Sequence, residues 1–133
     1  MRKIIKEIET SPWGDVDSCE EIVPGVFNVF TPSHGGYMVR KNIALRHLSF
    51  AARLKGTVWG NFLTYEEDCR WAILAWERPE WFAKSQPWAF DGLKKEALRI
   101  IKLYDADYFD TTNGGLYELA KETPVDSLKN VTR

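Results

Sequence analysis

Apolar and polar residues alternate in the first third of the chain, which is the pattern of half-buried β-strands. Residues 15–23 and 26–31 are predicted to pair as a β-hairpin. Pro24 presets φ at the first central position of their joint and Gly25 tolerates positive φ at the second, so a type II turn is favoured. Residues 37–40 are predicted to add a third antiparallel strand.

The pattern changes to helical spacing in the middle of the chain. Apolar residues between 42 and 54 form one stripe, which predicts the first helix. Thr64 and Glu67 have the spacing of a capping box, in which the threonine hydroxyl accepts the third helical N–H and the glutamate reaches back. The second helix is therefore predicted to begin at Thr64 and to end near Pro79, with a loop or short strand at 57–63 before it.

These elements predict an α+β fold, in which a small three-stranded antiparallel sheet packs against two or three helices. Asp91 is predicted to cap a further, long helix that ends near Tyr104, and residues 1–10 favour an edge strand over a short helix. The length of 133 residues fits a single domain, assigned to residues 1–120, with a polar tail at 121–133. A domain of this size buries enough surface to form a core without a disulfide or a structural metal.

The balance of basic and acidic residues argues against one class of binding partner, nucleic acid. Eighteen basic residues face nineteen acidic ones and the two kinds are interspersed, which argues against nucleic acid because such proteins usually carry a basic stripe. No run approaches the roughly eighteen apolar residues of a membrane span. The first residues lack the apolar stretch of a secretory signal, and Cys19 and Cys69 lie far apart. We therefore expect two free thiols and a cytoplasmic protein.

Aromatic residues are unusually frequent, with six Trp, five Tyr and seven Phe. A domain of this size cannot easily bury six tryptophan side chains completely. Aromatic side chains that stay exposed are well suited to anchor a protein partner. The candidate binding surface consists of Trp59, Trp81, Phe82 and Trp88.

A second candidate site lies at His34, within a Ser-His-Gly-Gly segment at 33–36. The glycines allow positive φ and a close approach of the backbone, so the loop can present the imidazole and bare N–H groups to an anion or a carbonyl. The simpler interpretation is that Gly35 and Gly36 form a hairpin turn that merely carries the histidine. Two histidines without paired cysteines argue against a structural zinc site, and no metal or cofactor is predicted.

The acidic run at 66–68 has three interpretations. Helix capping and compensation of the helix dipole explain the whole run, with Cys69 in the core. Alternatively, His34 converges with Glu67 or Asp68 as the general base of a small hydrolytic enzyme or as a one-histidine metal site. In the third interpretation, the imidazole hydrogen-bonds Glu67 or Asp68 and locks the turn onto the capped helix. The residues of that structural motif are His34, Gly35, Gly36, Thr64, Glu67 and Asp68.

The Ser-His-Gly-Gly motif at 33–36 is followed by a Tyr-Glu-Glu-Asp-Cys-Arg-Trp run at 65–71 and preceded by Ser-Pro-Trp-Gly at 11–14. This combination resembles a small domain of unknown function that occurs in proteins of bacterial plasmids, phages and other mobile elements. The resemblance covers roughly residues 12–82. It implies a mobile-element accessory protein, of a kind that often binds and blocks a host factor.

We therefore expect a binding module that engages a host protein or protein complex. The most specific form of this hypothesis is an anti-CRISPR-like inhibitor of a bacterial defence system. The alternative is the hydrolytic enzyme that uses His34 with Glu67 or Asp68, and the lack of a convincing catalytic set favours the binding role over it. The sequence leaves open whether the domain forms a homodimer.

Overall fold

The computed structural model describes residues 4–5, 8–82 and 90–111, in which most strands precede the helices. The strands are β1 (Ile4–Ile5), β2 (Thr10–Ser11), β3 (Gly14–Asp15), β4 (Ser18–Val23), β5 (Val26–Phe30), β6 (Gly35–Arg40), β7 (Thr57–Trp59) and β8 (Phe62–Glu66). The helices are α1 (Lys41–His47), α2 (Phe50–Lys55), α3 (Trp71–Glu77), α4 (Phe90–Tyr104) and α5 (Ala106–Thr111), with a 3-10 turn at Pro79–Phe82. The α+β class is confirmed, and the tail predicted at 121–133 lies outside the described residues.

The described strands form one antiparallel sheet in the order β1-β4-β5-β6-β8-β7, while β2 and β3 pair separately. The β4–β5 hairpin is the predicted one, and Gly25 at its turn has a φ of 83°. The prediction of three strands is wrong, because β8 pairs with β6, β7 pairs with β8, and β1 adds to β4. The β7–β8 turn uses Gly60 at a φ of 60°, a conformation that side chains disfavour.

The capping box predicted at Thr64 is not formed. Thr64 lies in β8, where its hydroxyl donates to the Thr57 carbonyl at 3.0 Å, and α3 begins only after the acidic run. The intervening turn is closed by Glu66, whose Oε1 accepts the backbone N–H groups of Cys69 and Arg70 at 2.6 and 3.0 Å. The acidic run therefore ends a strand and closes a turn instead of starting a helix.

The helix predicted over 42–54 is divided into α1 and α2 at Leu48 and Ser49. The Ser49 hydroxyl accepts the Ala52 N–H at 3.0 Å and so forms the N-cap of α2. The long helix α4 ends at Tyr104, as predicted. In the described part of the chain, no helix has both the length and the apolar character that crossing a membrane requires.

The two faces of the sheet are covered differently. The helices pack over one face, where the buried sheet residues include Tyr37, Val39, Leu63 and Tyr65. The other face carries a smaller core that is covered by the segment before β4. This smaller core consists of Ile8, Val16, Cys19, Phe27, Val29 and Met38, with Trp13 and Phe62 packed against it.

A buried carboxylate joins three helices on the helix side. Glu77 is 7% exposed, and it accepts the Ser49 N–H at 2.8 Å, the Ser49 hydroxyl at 2.5 Å and the Tyr108 hydroxyl at 2.5 Å. Ser49 begins α2, Glu77 ends α3 and Tyr108 lies in α5. A buried network of this kind fixes the helix layer, because each polar group would be costly to leave unpaired.

A second buried carboxylate, Asp105, lies at the junction of α4 and α5. Its Oδ1 is 3.0 Å from Arg70 Nε and 3.2 Å from Lys55 Nζ, so two cations compensate its charge. No described residue donates a well-aligned hydrogen bond to this carboxylate. The ion pairs hold α2, the turn before α3 and the α4–α5 corner together.

Candidate functional site

His34 lies in the exposed loop between β5 and β6, and its ring makes no hydrogen bond or ion pair with a described residue. The loop is closed through its backbone. Thr31 Oγ1 donates to the His34 carbonyl at 2.5 Å and accepts the His34 N–H at 3.1 Å. The imidazole hydrogen bond to Glu67 or Asp68, expected in the structural interpretation of the motif, is therefore not formed.

The glycine pair of the motif lies in strand β6 and not in a turn. A Cβ on Gly35 would lie 2.6 Å from the Val29 carbonyl oxygen, and one on Gly36 would lie 2.6 Å from the Tyr65 carbonyl oxygen. The Gly35 carbonyl also accepts the Glu67 N–H at 3.0 Å. Both glycines thus allow β6 to pack closely against its neighbouring strands. The Ser-His-Gly-Gly motif contacts the acidic run through a backbone hydrogen bond.

In the part of the chain that the structure describes, no hydrogen bond or ion pair joins the His34 imidazole to the acidic run. Glu67 and Asp68 are exposed, and among the residues that the structure describes no three His, Cys, Asp or Glu side chains are placed to hold a metal ion. The Cys69 thiol donates to Glu66 Oε2 at 3.4 Å. Burial, this hydrogen bond and the charges of Glu66 and Asp105 raise the pKa of Cys69 to about 11. The thiol is consequently protonated at neutral pH and a poor nucleophile.

The structure describes three of the four aromatic residues of the predicted binding surface and places them in different environments. Trp81 and Phe82 are only 7% and 0% exposed, because the 3-10 turn carries them into the helix-side core. There the Phe82 ring meets the edge of the Tyr37 ring, with centroids 5.1 Å apart. This placement corrects the expectation that Trp81 and Phe82 are surface anchors. Trp88 lies outside the described residues, and Trp59 is 38% exposed.

Trp59 belongs to β7, the last strand of the sheet, whose three residues are all exposed. In the register of the hairpin, Trp59 faces Phe62 and Val58 faces Leu63. Side chains alternate between the faces of a strand, so Trp59 lies on the face away from the helices. Val58, 59% exposed, lies on the helix side. Both faces of this edge therefore present apolar surface.

No described strand pairs with the outer side of β7. Trp59 and Phe62 flank a two-residue turn, and residues in those positions form a hydrogen-bonded pair in such hairpins. The next pair, Val58 and Leu63, is then a non-hydrogen-bonded one. Val58 consequently directs its N–H and C=O groups to the open edge, where a further strand can pair with them.

A shallow cleft of about 310 Å³ lies beside Trp59 on the face away from the helices. Arg40, Phe62 and Trp59 form a row across β6, β8 and β7 along it. The Arg40 guanidinium carbon is 5.3 Å from the centroid of the Phe62 ring and 5.4 Å from that of Phe27, which is a cation–π arrangement. The other residues that line this cleft are Ile8, Glu9, Thr10, Met38, Gly60 and Asn61.

A second cleft of about 320 Å³ shares Arg40 and Asn61 with the first one and is also lined by Lys41 and Asn42. Its lining thus combines two cations and two side-chain amides, with no carboxylate. Lys41 is exposed and forms no ion pair with a described residue. The first cleft is therefore lined by both apolar and polar residues, among them Glu9, whereas the second is lined by polar and positively charged residues alone.

Arg40, Phe62 and Asn61 are residues that sequence reasoning does not single out. Part of the signal is present, because Gly60 and Asn61 stand between two runs of strand-forming residues, the pattern of a two-residue hairpin. Recognising it would have paired Trp59 with Phe62. The position of Arg40 beside Phe62 depends on the pairing of β6 with β8. These strands are separated in the sequence by α1, α2 and β7, so no local pattern predicts that they pair.

Comparison with known proteins gives one family. No curated protein and no solved structure matches the chain. The model of DUF7007, a domain of unknown function, matches residues 6–128, which include the β7 edge and both clefts. The chain therefore belongs to the DUF7007 family.

Proposed function

We propose that this domain is a protein-binding module that takes up an extended segment of a partner protein as an additional strand along β7. The observation that carries the proposal is the open edge at Val58, with its outward N–H and C=O groups. An added strand gains affinity from backbone hydrogen bonds at such an edge and specificity from the side-chain surfaces on its two faces.

The composition of the edge supports this role. Soluble proteins protect edge strands by keeping them very short or by placing charged residues, proline or a bulge in them, and the three-residue β7 is short but has none of the other devices. Tryptophan is among the residue types that contribute most to binding energy at interfaces. Because β7 is short, few backbone hydrogen bonds are available, so Trp59 and the cleft beside it must supply much of the affinity.

The enzymatic alternative has less support. A general base must lie within hydrogen-bond reach of the proton that it takes, and it is usually held by a second group. The His34 ring has no such partner among the described residues, and Glu67 and Asp68 are exposed. The narrower hypothesis, a host protein as partner and inhibition of a bacterial defence system, is supported by the motif resemblance alone.

Affinity capture with two variants of Val58 tests the proposal. Val58→Pro removes the outward N–H, whereas the β7–β8 hydrogen bonds of Thr57 and Trp59 remain. Val58→Thr keeps the N–H and the branched side chain, and it serves as the matched control. In an extract of the source organism, the wild type and Val58→Thr should retain the same protein and Val58→Pro should lose it. Equal retention by all three, or no retained protein, would contradict strand addition at β7.

A further inference from the structure

We propose that the segment bound along β7 carries a large apolar side chain opposite Val58, which packs on the helix side of the edge against Val58 and Leu54. This inference rests on the proposed function and specifies the chemistry of the partner segment. Residues directly opposite each other on paired strands direct their side chains to the same face of the sheet. The partner residue opposite Val58 therefore points to the helix side, where Val58 is 59% exposed.

Helix α2 exposes large apolar side chains on the side opposite its buried residue. Ala52 is fully buried, and the Tyr65 hydroxyl donates to its carbonyl at 2.8 Å, so this side of α2 faces the sheet and the core. Leu54 lies two residues further on, which turns its side chain by about 200° around the helix axis. Phe50 lies one turn before Leu54, and these two side chains are 58% and 67% exposed.

This outer side of α2 adjoins the β7 edge. Leu54 precedes Val58 by four residues, so their Cα atoms are at most about 14 Å apart. Between them, a Cβ on Gly56 would lie 3.1 Å from the Leu63 Cβ and 2.8 Å from the Tyr65 hydroxyl oxygen. The end of α2 therefore lies on the helix side of β8, the strand that pairs with β7. A large side chain above Val58 fills the step between the edge strand and the helix and so contacts Leu54.

The charges beside this surface favour a different protein over a second copy of the domain. Helices α1 and α2 contain no Asp or Glu, and their cations are Lys41, Arg46, Arg53 and Lys55. Of these four, only Lys55 forms an ion pair with a described carboxylate. Two copies paired edge to edge about a twofold axis would bring both sets of like charges together. A segment with neutral or acidic residues beside its apolar one avoids that repulsion.

A random dodecapeptide library displayed on phage, selected on the immobilised wild-type domain, tests the inference. Selected peptides are sorted by whether they bind Val58→Thr and Val58→Pro, and the affinity of each labelled peptide is then measured by fluorescence polarisation. Leu54→Gln tests the helix side of the edge. Its matched control is Leu103→Gln, the same change at a leucine of α4 that is 61% exposed. Thermal unfolding verifies that both variants fold like the wild type, and light scattering gives the mass of the free domain.

We expect the peptides that bind Val58→Thr but not Val58→Pro to share one large apolar residue, whose replacement by alanine weakens binding about tenfold. Leu54→Gln should weaken binding by a similar factor, and Leu103→Gln should leave it unchanged. In Leu54→Gln the alanine replacement should cost less than about threefold, because the two side chains contact each other.

Peptides that require the Val58 N–H but bind Leu54→Gln as well as the wild type would overturn this inference and leave the proposed function standing. A dimer of the free domain that Leu54→Gln dissociates would also overturn it, in favour of a second copy as the occupant of the edge. Failure to select any peptide that depends on Val58 would overturn both this inference and the proposed function.

Discussion

The Trp13 ring lies directly over Gly36, and a Cβ on that glycine would be 2.7 Å from the ring atoms Cζ2 and Cη2. The same Cβ would be 2.6 Å from the Tyr65 carbonyl oxygen on the neighbouring strand. Two of the sequence motifs thus meet here, because Trp13 belongs to the Ser-Pro-Trp-Gly segment and Gly36 to the Ser-His-Gly-Gly segment. Their contact is a packing relationship that covers one face of the sheet.

This contact predicts that Gly36→Ala destabilises the domain. The strand backbone cannot move away from the new methyl group without breaking the β6–β8 pairing, so the free energy of unfolding should fall by about 1–3 kcal/mol. Gly92→Ala is the matched control, since nothing lies within 4 Å of a Cβ on that residue in α4. It should raise the free energy of unfolding by about 0.5–1 kcal/mol, as alanine favours a helix. Urea denaturation measures both, and a harmless Gly36→Ala would contradict this account of the motif.

The Glu77 network predicts a strong coupling between helices. Tyr108→Phe removes a hydrogen bond to a buried carboxylate and should cost about 1.5–3 kcal/mol of unfolding free energy. Tyr104→Phe is the matched control, because Tyr104 is 64% exposed, and its cost should stay within about 0.5 kcal/mol. In a double-mutant cycle, Glu77→Gln should reduce the cost of Tyr108→Phe. Strictly additive costs would show that this hydroxyl does not stabilise the fold through Glu77.

The raised pKa of Cys69 predicts slow alkylation and a pH-dependent stability. Burial, the Glu66 hydrogen bond and the Glu66 and Asp105 charges raise this pKa from 9.0 to about 11. Iodoacetamide should therefore modify Cys69 slowly at pH 8, and more rapidly in Glu66→Gln, which keeps an acceptor oxygen but removes the charge. Peptide mass mapping separates this thiol from Cys19, which is fully buried.

The sign of the stability effect follows from the direction of that shift. The folded protein holds the Cys69 proton more tightly than the unfolded chain does, so this contribution to folding is complete below pH 9 and is lost as the pH rises through about 11. Cys69→Ser lacks an ionising thiol, and its stability should fall less between these two pH values. Identical pH profiles for the wild type and Cys69→Ser would show that the thiol is not held protonated.

The separation of the aromatic residues predicts opposite effects of two tryptophan substitutions. Trp81→Ala should cost about 3–5 kcal/mol of unfolding free energy, since it empties a buried position in the helix-side core. Trp59→Ala should cost about 1 kcal/mol or less but weaken partner binding at least tenfold, as expected of an exposed anchor. Stability from denaturation and affinity for the captured partner protein distinguish the two, and a strongly destabilised Trp59→Ala would place that residue in the core instead.

Sequence patterns predict the fold where the structural cause is local. Alternating apolar residues and the Pro24-Gly25 joint are sufficient for the β4–β5 hairpin, because a turn and two short strands need only adjacent residues. The capping-box prediction is wrong because it rests on local spacing alone. Thr64 and Glu67 have the right spacing, but Leu63 and Tyr65 also alternate as in a strand, and pairing with β6 decides between the two patterns.

The candidate site is less visible in the sequence because its contacts are long-range. Trp59 is identified from its residue type, but its exposure depends on β7 lying at the edge of the sheet. Trp81 has the same side chain and is buried, since the 3-10 turn after α3 folds back into the core. Likewise, Glu77 accepts hydrogen bonds from Ser49 and Tyr108, which lie 28 and 31 residues away in the sequence. Composition cannot distinguish these environments, whereas strand order and helix packing can.

Amide hydrogen–deuterium exchange at Val58 tests the central claim, strand addition at β7, most directly. The measurement follows individual amides of the domain by NMR, with and without a saturating concentration of the captured partner protein. In the free domain the Val58 amide should exchange rapidly, and on binding its exchange should slow at least about tenfold, because the added strand accepts its hydrogen bond. Unchanged exchange at Val58, with protection appearing on the helix layer or around His34 instead, would contradict the account and place the partner elsewhere.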